Sequence, residues 1–337
     1  MTKHQSRACA LIILSITFVF SAQPKGKDAN IRVLYDSHIK GKTTLALGAF
    51  RVAFVTEDSA VAVSHGALSH GGSAARMTGE LSGVEHALMQ KITDAIYADF
   101  LKQAAAKGYQ LIDSATLAKT STAYAELPSV ENFLEGRLGT FVIPTGQRSV
   151  TLAADDSARE AKGAAGLGTG FRNIGKNLAT SPANKAFPAA SGQVNAPVLG
   201  VTIVVNFANF KGTNSGFGTS KATITPGATI DGRNPNEIVS STSIVAWDST
   251  TKSCANCQAQ FVLEGQIHST ANIGASTTRS AMKAGDHIAN GIGALSGIGG
   301  TKKKATTIEV DAAAYETNVL LVAAQASDLL LSSLNGK

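Results

Sequence analysis

One stretch, from Phe50 to Ser114, constrains the fold of this chain more than any other. An apolar strand (Phe50 to Val55), a long amphipathic helix (Ser82 to Lys107) and a second strand (Tyr109 to Ile112) follow one another there. Val84, Leu88, Ile92, Ile96, Phe100 and Ala104 recur every four residues, which lays an apolar stripe along one helix face, while Lys91, Asp94, Lys102 and Lys107 lie elsewhere. Ser82 and Glu85 have the spacing of a capping box, so the helix is expected to start at Ser82. Gly108 suits the left-handed position just past the last turn.

The first residues bear on compartment. Lys3 and Arg7 precede the apolar run Ala8 to Phe20, and small and polar residues follow, the pattern of a secretory signal peptide cleaved after Ser21. The run is 13 residues long, short of the roughly 20 needed to span a bilayer. Cys9 opens the run rather than closing it, which excludes it as the acylated cysteine of a lipoprotein. An exported chain without a lipid anchor, periplasmic or associated with the outer membrane, is the expectation. Removing residues 1–21 deletes two positive charges and no acid, so the formal charge falls from +6 to +4. Lys and Arg are spread along the chain rather than gathered in a stripe, which argues against nucleic acid as a partner. The one basic run, Lys302-Lys303-Lys304, reads as a solvated loop before the last helix, with contact to an anionic surface as its functional alternative.

Taken in order, residues 22–30 form a polar leader and residues 31–337 a single α/β (α+β) domain. A mixed sheet carrying two long helices, with Gly/Ala-rich loops, is the predicted architecture. Strands are expected at 31–35, 43–55, 140–143, 198–207, 222–230, 238–247 and 258–267, with a further candidate at 271–278. Residues 198–207 are the most apolar and belong at the centre of a sheet covered on both faces. Residues 57–79 are rich in Ser, Gly and Ala and read as a long surface loop. Residues 115–127 read as a short helix ended by Pro128. Residues 163–197 read as a low-complexity insertion, 285–300 as a second Gly-rich loop, and 309–334 as the closing helix.

No catalytic constellation stands out, and no cofactor is expected. Cys254 and Cys257 lie in a turn-rich stretch between two strand-like runs. A redox motif would want the first cysteine at a helix start, so a disulfide clasping a hairpin is the expected state in an exported protein. His65 and His70 are five apart in the 57–79 segment. That is neither the spacing of a helical metalloprotease motif nor a strand alternation, and a weak metal site with Glu57 or Asp58 is the most they offer. Gly41-Lys-Thr-Thr44 lacks the upstream glycine of a phosphate-binding loop.

The order of strand, long helix ending in Lys107-Gly-Tyr109, strand with Leu111-Ile-Asp113, then short helix resembles the opening of a group of bacterial envelope proteins. The group includes the curli-secretion channel subunit and the N-terminal domain of the TolB protein. Phe50 to Leu127 also looks like an uncharacterised family of secreted proteobacterial proteins. The resemblance implies a three-layer-like α/β domain in the periplasm that binds or scaffolds other envelope components. Two features of the channel subunit are absent: the lipid-acceptor cysteine, and a hairpin of about ten residues per strand with alternating lipid-facing side chains. The expected function is therefore a non-catalytic envelope protein acting as a binding or assembly factor. Its partners would be envelope proteins or a surface polymer, with peripheral membrane contact possible. The alternative is a secreted hydrolase or metal-dependent enzyme using the His65/His70 loop.

Overall fold

The computed structural model describes residues 30–64, 73–129, 134–136, 139–148, 150, 182–214, 220–232, 241–250, 258–281 and 301–334. Within them the chain forms an α+β fold with two sheets. The strands are β1 (Asn30–Leu34), β2 (Thr44–Val55), β3 (Glu57–Ser64), β4 (Ser73–Ser82), β5 (Gln110–Ile112), β6 (Leu134–Gly136) and β7 (Gly139–Val142) in the first half. In the second half they are β8 (Val198–Asn214), β9 (Ser220–Asp231), β10 (Ser243–Trp247), β11 (Ala259–Glu264), β12 (Gln266–His268), β13 (Gly274–Ser280) and β14 (Thr301–Val310). The helices are α1 (His86–Ala106), α2 (Ser114–Thr120), α3 (Thr122–Ala125), α4 (Pro182–Val194) and α5 (Ala312–Ser333).

The larger sheet runs β1-β11-β10-β8-β2-β7-β6, with β5 on the first half of β2, β9 on the far half of β8, and β12 on β9. β2 and β8 lie parallel at its centre, from Ala46 opposite Val198 to Phe54 opposite Val205. Both strands are apolar along their length because both faces are covered. On one face lie α1 and α5, whose buried residues recur at helical spacing: Met89, Ile92, Ile96, Phe100 and Ala104 on α1, and Tyr315, Val319, Val322, Ala326 and Leu330 on α5. α1 and α5 run side by side in the same direction. Lys91 pairs with Glu316 at 2.8 Å near their starts, and Lys107 with Asp328 at 2.7 Å near their ends. On the other face, α2, α3 and α4 enclose a second apolar cluster built on Leu117, Tyr124, Phe187 and Trp247. The helices thus form layers on both sides of the sheet.

β2 carries a bulge between Leu47 and Ala49. The intervening Gly48 has its carbonyl turned out of the ladder, where the buried Tyr124 hydroxyl donates to it at 2.6 Å. A buried carbonyl without such a donor would be unfavourable by about 1–3 kcal/mol, so the bulge and Tyr124 require each other. Burial also pushes the Tyr124 phenol pKa up.

The smaller sheet runs β13-β14-β4-β3, with β14 parallel to β4 and the outer pairs antiparallel. It corrects two expectations. Residues 57–64 and 73–82 are strands, where composition suggested one long loop, and Lys302-Lys303-Lys304 opens β14, where a loop was expected. The physical reason is the packing: β3 and β4 lie directly on β8 and β9. Small residues allow that approach. Ala60, Ala62 and Ala75 are buried at the junction, and Gly79 faces the Phe210 ring, which a Cβ there would meet at 2.8 Å. At Gly212 of β8 a Cβ would run directly into the Val61 carbonyl oxygen of β3. Gly212→Ala must separate the two backbones, and a loss of about 1–3 kcal/mol is expected. Hydrogen exchange should show it as faster exchange confined to β3, β4, β8 and β9.

Other boundaries shift as well. α1 begins at His86, because Gly83 turns the chain at φ 84° and Ser82 ends β4 with its hydroxyl donating to the Ile308 carbonyl at 3.4 Å. Glu85 is the N-cap and makes no side-chain capping bond, so the capping box does not form. Gly108 takes the left-handed conformation as expected, at φ 85°. The 115–127 helix is two short ones broken at Ser121, whose hydroxyl caps the second by accepting from the Tyr124 amide at 3.2 Å. Part of the expected 163–197 insertion, Pro182–Val194, is a helix containing Pro188. The 258–267 strand is divided at Gly265, φ 80°. The closing helix starts at Ala312, capped by Asp311, which accepts from the Ala314 amide at 2.8 Å.

Candidate functional site

The smaller sheet turns one face to β8 and β9, and the junction is held by a partly buried polar cluster centred on Asn206. Asn206 is fully buried at a bulge in β8, and its side-chain oxygen accepts from the Phe207 amide at 2.8 Å, satisfying a donor that the bulge takes out of the ladder. Its Nδ2 donates to both Asp58 Oδ2 of β3 (2.8 Å) and Asp231 Oδ2 of β9 (2.7 Å). Gln266 Nε2 donates to the other Asp231 oxygen at 2.8 Å. One amide group therefore ties a carboxylate of each sheet to the same point. Burial holds the Asp58 carboxyl above its ordinary pKa, against the opposing pull of its bonds from Asn206 and the Ser59 amide. Nearby, Thr229 Oγ1 lies 2.8 Å from His268 Nδ1, and burial lowers the His268 pKa.

The opposite face of the smaller sheet is its outer face. Directly paired residues share a face of a sheet, and the alternation along each strand separates the inner set Asp58, Ala60, Gly79, Thr306 and Ile308 from the outer set. The outer set includes Glu57, Glu80 and Glu309, all exposed, together with exposed Arg76 and Arg279 and half-buried Lys303. The charges are segregated along the strands. Lys303 and Arg76 lie opposite each other, with Arg279 two residues nearer the middle, opposite Ala305, while Glu57, Glu80 and Glu309 occupy the other end. At the basic end, Thr278, Arg279, Ser280 and Lys302 to Lys304 line a shallow hollow.

The lysine run is thereby split. Lys302 and Lys304 share a strand face with Thr306, and Lys303 stands on the other, beside Arg76. The run does not form one cationic patch. Arg76 and Arg279, distant in sequence, are what complete the basic end of the outer face. His65, His70, Cys254 and Cys257 lie outside the described residues. Of the acids expected near the histidines, Asp58 points inward to Asn206 and Glu57 outward, as adjacent strand residues must. Among the described residues no group of three or more His, Cys, Asp or Glu side chains could hold a metal ion, and no helix is long and apolar enough to cross a membrane. The Asn206 cluster left no sequence signal, because its four members come from separate strands.

No family model, curated protein or solved structure matches this chain.

Proposed function

We propose that this chain is a non-catalytic exported envelope protein that acts as a binding or assembly factor, offering the outer face of its smaller sheet to an envelope protein or surface polymer. The observation that carries the reading is that face: a four-stranded sheet fixed to the body on one side, with cations and carboxylates segregated on the other. Segregated charge of this kind orients a partner and speeds encounter more than it adds affinity. The signal-like start of the chain supports an envelope location.

The test is capture from envelope fractions by the purified chain and by an Arg76→Glu/Arg279→Glu variant. Partners held by the wild type should be lost at least tenfold by the variant, and should also weaken with added salt. A captured set unchanged by charge reversal would overturn the outer face as the binding surface. Turnover of an envelope substrate, abolished together with stoichiometric zinc by His65→Ala/His70→Ala, would overturn the non-catalytic reading.

A further inference from the structure

The smaller sheet ends in two edges, and they differ. At β3 the backbone of β8 passes so close at Gly212 that no side chain fits between them. At β13 no described strand pairs with the outer edge, and every residue from Ala275 to Ser280 is exposed. An edge of this length that no described strand covers is a template for another strand, and soluble proteins commonly blunt such edges with proline, bulges or inward-pointing charge. β13 reads Gly-Ala-Ser-Thr-Thr-Arg-Ser, with no proline, a regular register against β14, and one charge, Arg279, which points to the outer face.

We propose that this edge pairs with the same edge of a second copy, antiparallel and two-fold symmetric about Thr277, joining two four-stranded sheets into one of eight. The proposal rests on the reading above, in which the smaller sheet is the interaction surface, and it specifies one occupant of that surface. The charge pattern selects the occupant. Two-fold pairing about Thr277 places Arg279 of each copy opposite Ala275 of the other, and Ala275 is paired with Glu309. Arg279 then stands on the same face as the other copy's Glu309, two strands and roughly 10 Å of backbone away, a gap an arginine and a glutamate span together. The symmetry makes this ion pair twice. Among the described residues neither Arg279 nor Glu309 is already in an ion pair. At the axis, Thr277 meets Thr277, a favourable β-branched cross-strand pair, and no like charges face each other. A slip of one residue would put Arg279 on the opposite face from the glutamate, so the charges also fix the register.

A seven-residue ladder buries less than the 1,200–2,000 Å² typical of stable complexes, so the dimer should form in roughly the micromolar range. Sedimentation equilibrium of the full purified chain over about 1–500 μM covers that range. Dimer is expected in the wild type. Thr277→Lys sets two ammonium groups at the axis and should raise the dissociation constant at least tenfold, as should Arg279→Glu, which faces Glu309. Arg279→Glu combined with Glu309→Arg should restore dimerisation, and Thr277→Cys should crosslink on mild oxidation. Circular dichroism checks that each variant folds. A wild type that stays monomeric throughout overturns the proposal. So does a dimer that neither substitution weakens, or one that the charge swap fails to restore, since another interface or a foreign strand at β13 would then be indicated. Capture of envelope partners by monomeric Thr277→Lys would leave the wider binding role standing whichever way self-pairing falls.

Discussion

Phe50→Ala is expected to destabilise the protein by about 3–5 kcal/mol, the usual result of truncating a buried phenylalanine. Phe50 is 2% exposed at the middle of β2, and its ring meets the edges of two α1 aromatics, with centroids 5.1 Å from Tyr97 and 5.3 Å from Phe100. Each such pair contributes about 0.5–1.5 kcal/mol beyond the area it buries. The neighbouring strand cannot relax into the space, because β2 is bonded to β8 along most of its length and to β5 and β7 at its two ends. Denaturant unfolding would show a lower midpoint with an unchanged slope, since the same surface is exposed on unfolding. Phe50→Leu keeps most of the volume and should lose less than half as much. A loss below about 1 kcal/mol for Phe50→Ala would mean that α1 does not depend on this contact for its place on the sheet.

The half of the molecule around Phe50 was legible in the sequence because its signals are local and redundant. The four-residue period of α1, Gly108 and the unbroken apolar run of β8 each encode the same outcome as the tertiary packing, so propensity and fold agree. The smaller sheet was not legible, because packing reverses the usual meaning of its composition. Ala60, Ala62, Ala75 and Gly79 read as loop by propensity, yet they are small because two layers of backbone meet there. Lys302 to Lys304 read as solvated loop because a short run of like charges carries no period, although its place between β13 and β4 makes it strand. Ser82 and Glu85 had the spacing of a cap, but β4 holds Ser82 in its pairing with β14. At the candidate site the lysines were visible and their separation onto two faces was not. Arg76 and Arg279 join Lys303 only through the register of three strands. Asn206 gave no signal at all, since an isolated asparagine in an apolar strand announces neither a bulge nor two distant carboxylates.

Asn206→Ala should therefore have an effect out of proportion to the few atoms it removes, about 3 kcal/mol or more at neutral pH. It deletes an amide bonded to carboxylates of both sheets and leaves Asp58 and Asp231 facing a partly buried site, while the Phe207 amide loses its acceptor. The pH dependence separates this cause from simple loss of packing. Asp58 has a folded pKa raised above 3.8, so its neutral form is the one the folded state favours. Its unfavourable contribution is fully present above the folded pKa. It fades as pH falls through that value, and it is gone below 3.8, where both states bind the proton. Removing the Asn206 donor removes a bond that had been lowering this pKa, which moves it higher and widens the window. The stability difference between wild type and Asn206→Ala should thus shrink as pH falls from 7 toward 4, and Asp58→Asn should recover part of it at pH 7. Urea unfolding of the four proteins of this double-mutant cycle at both pH values measures the coupling directly. A penalty that is the same at both values would reduce Asn206 to a packing residue and detach the charge of Asp58 from the joint between the sheets.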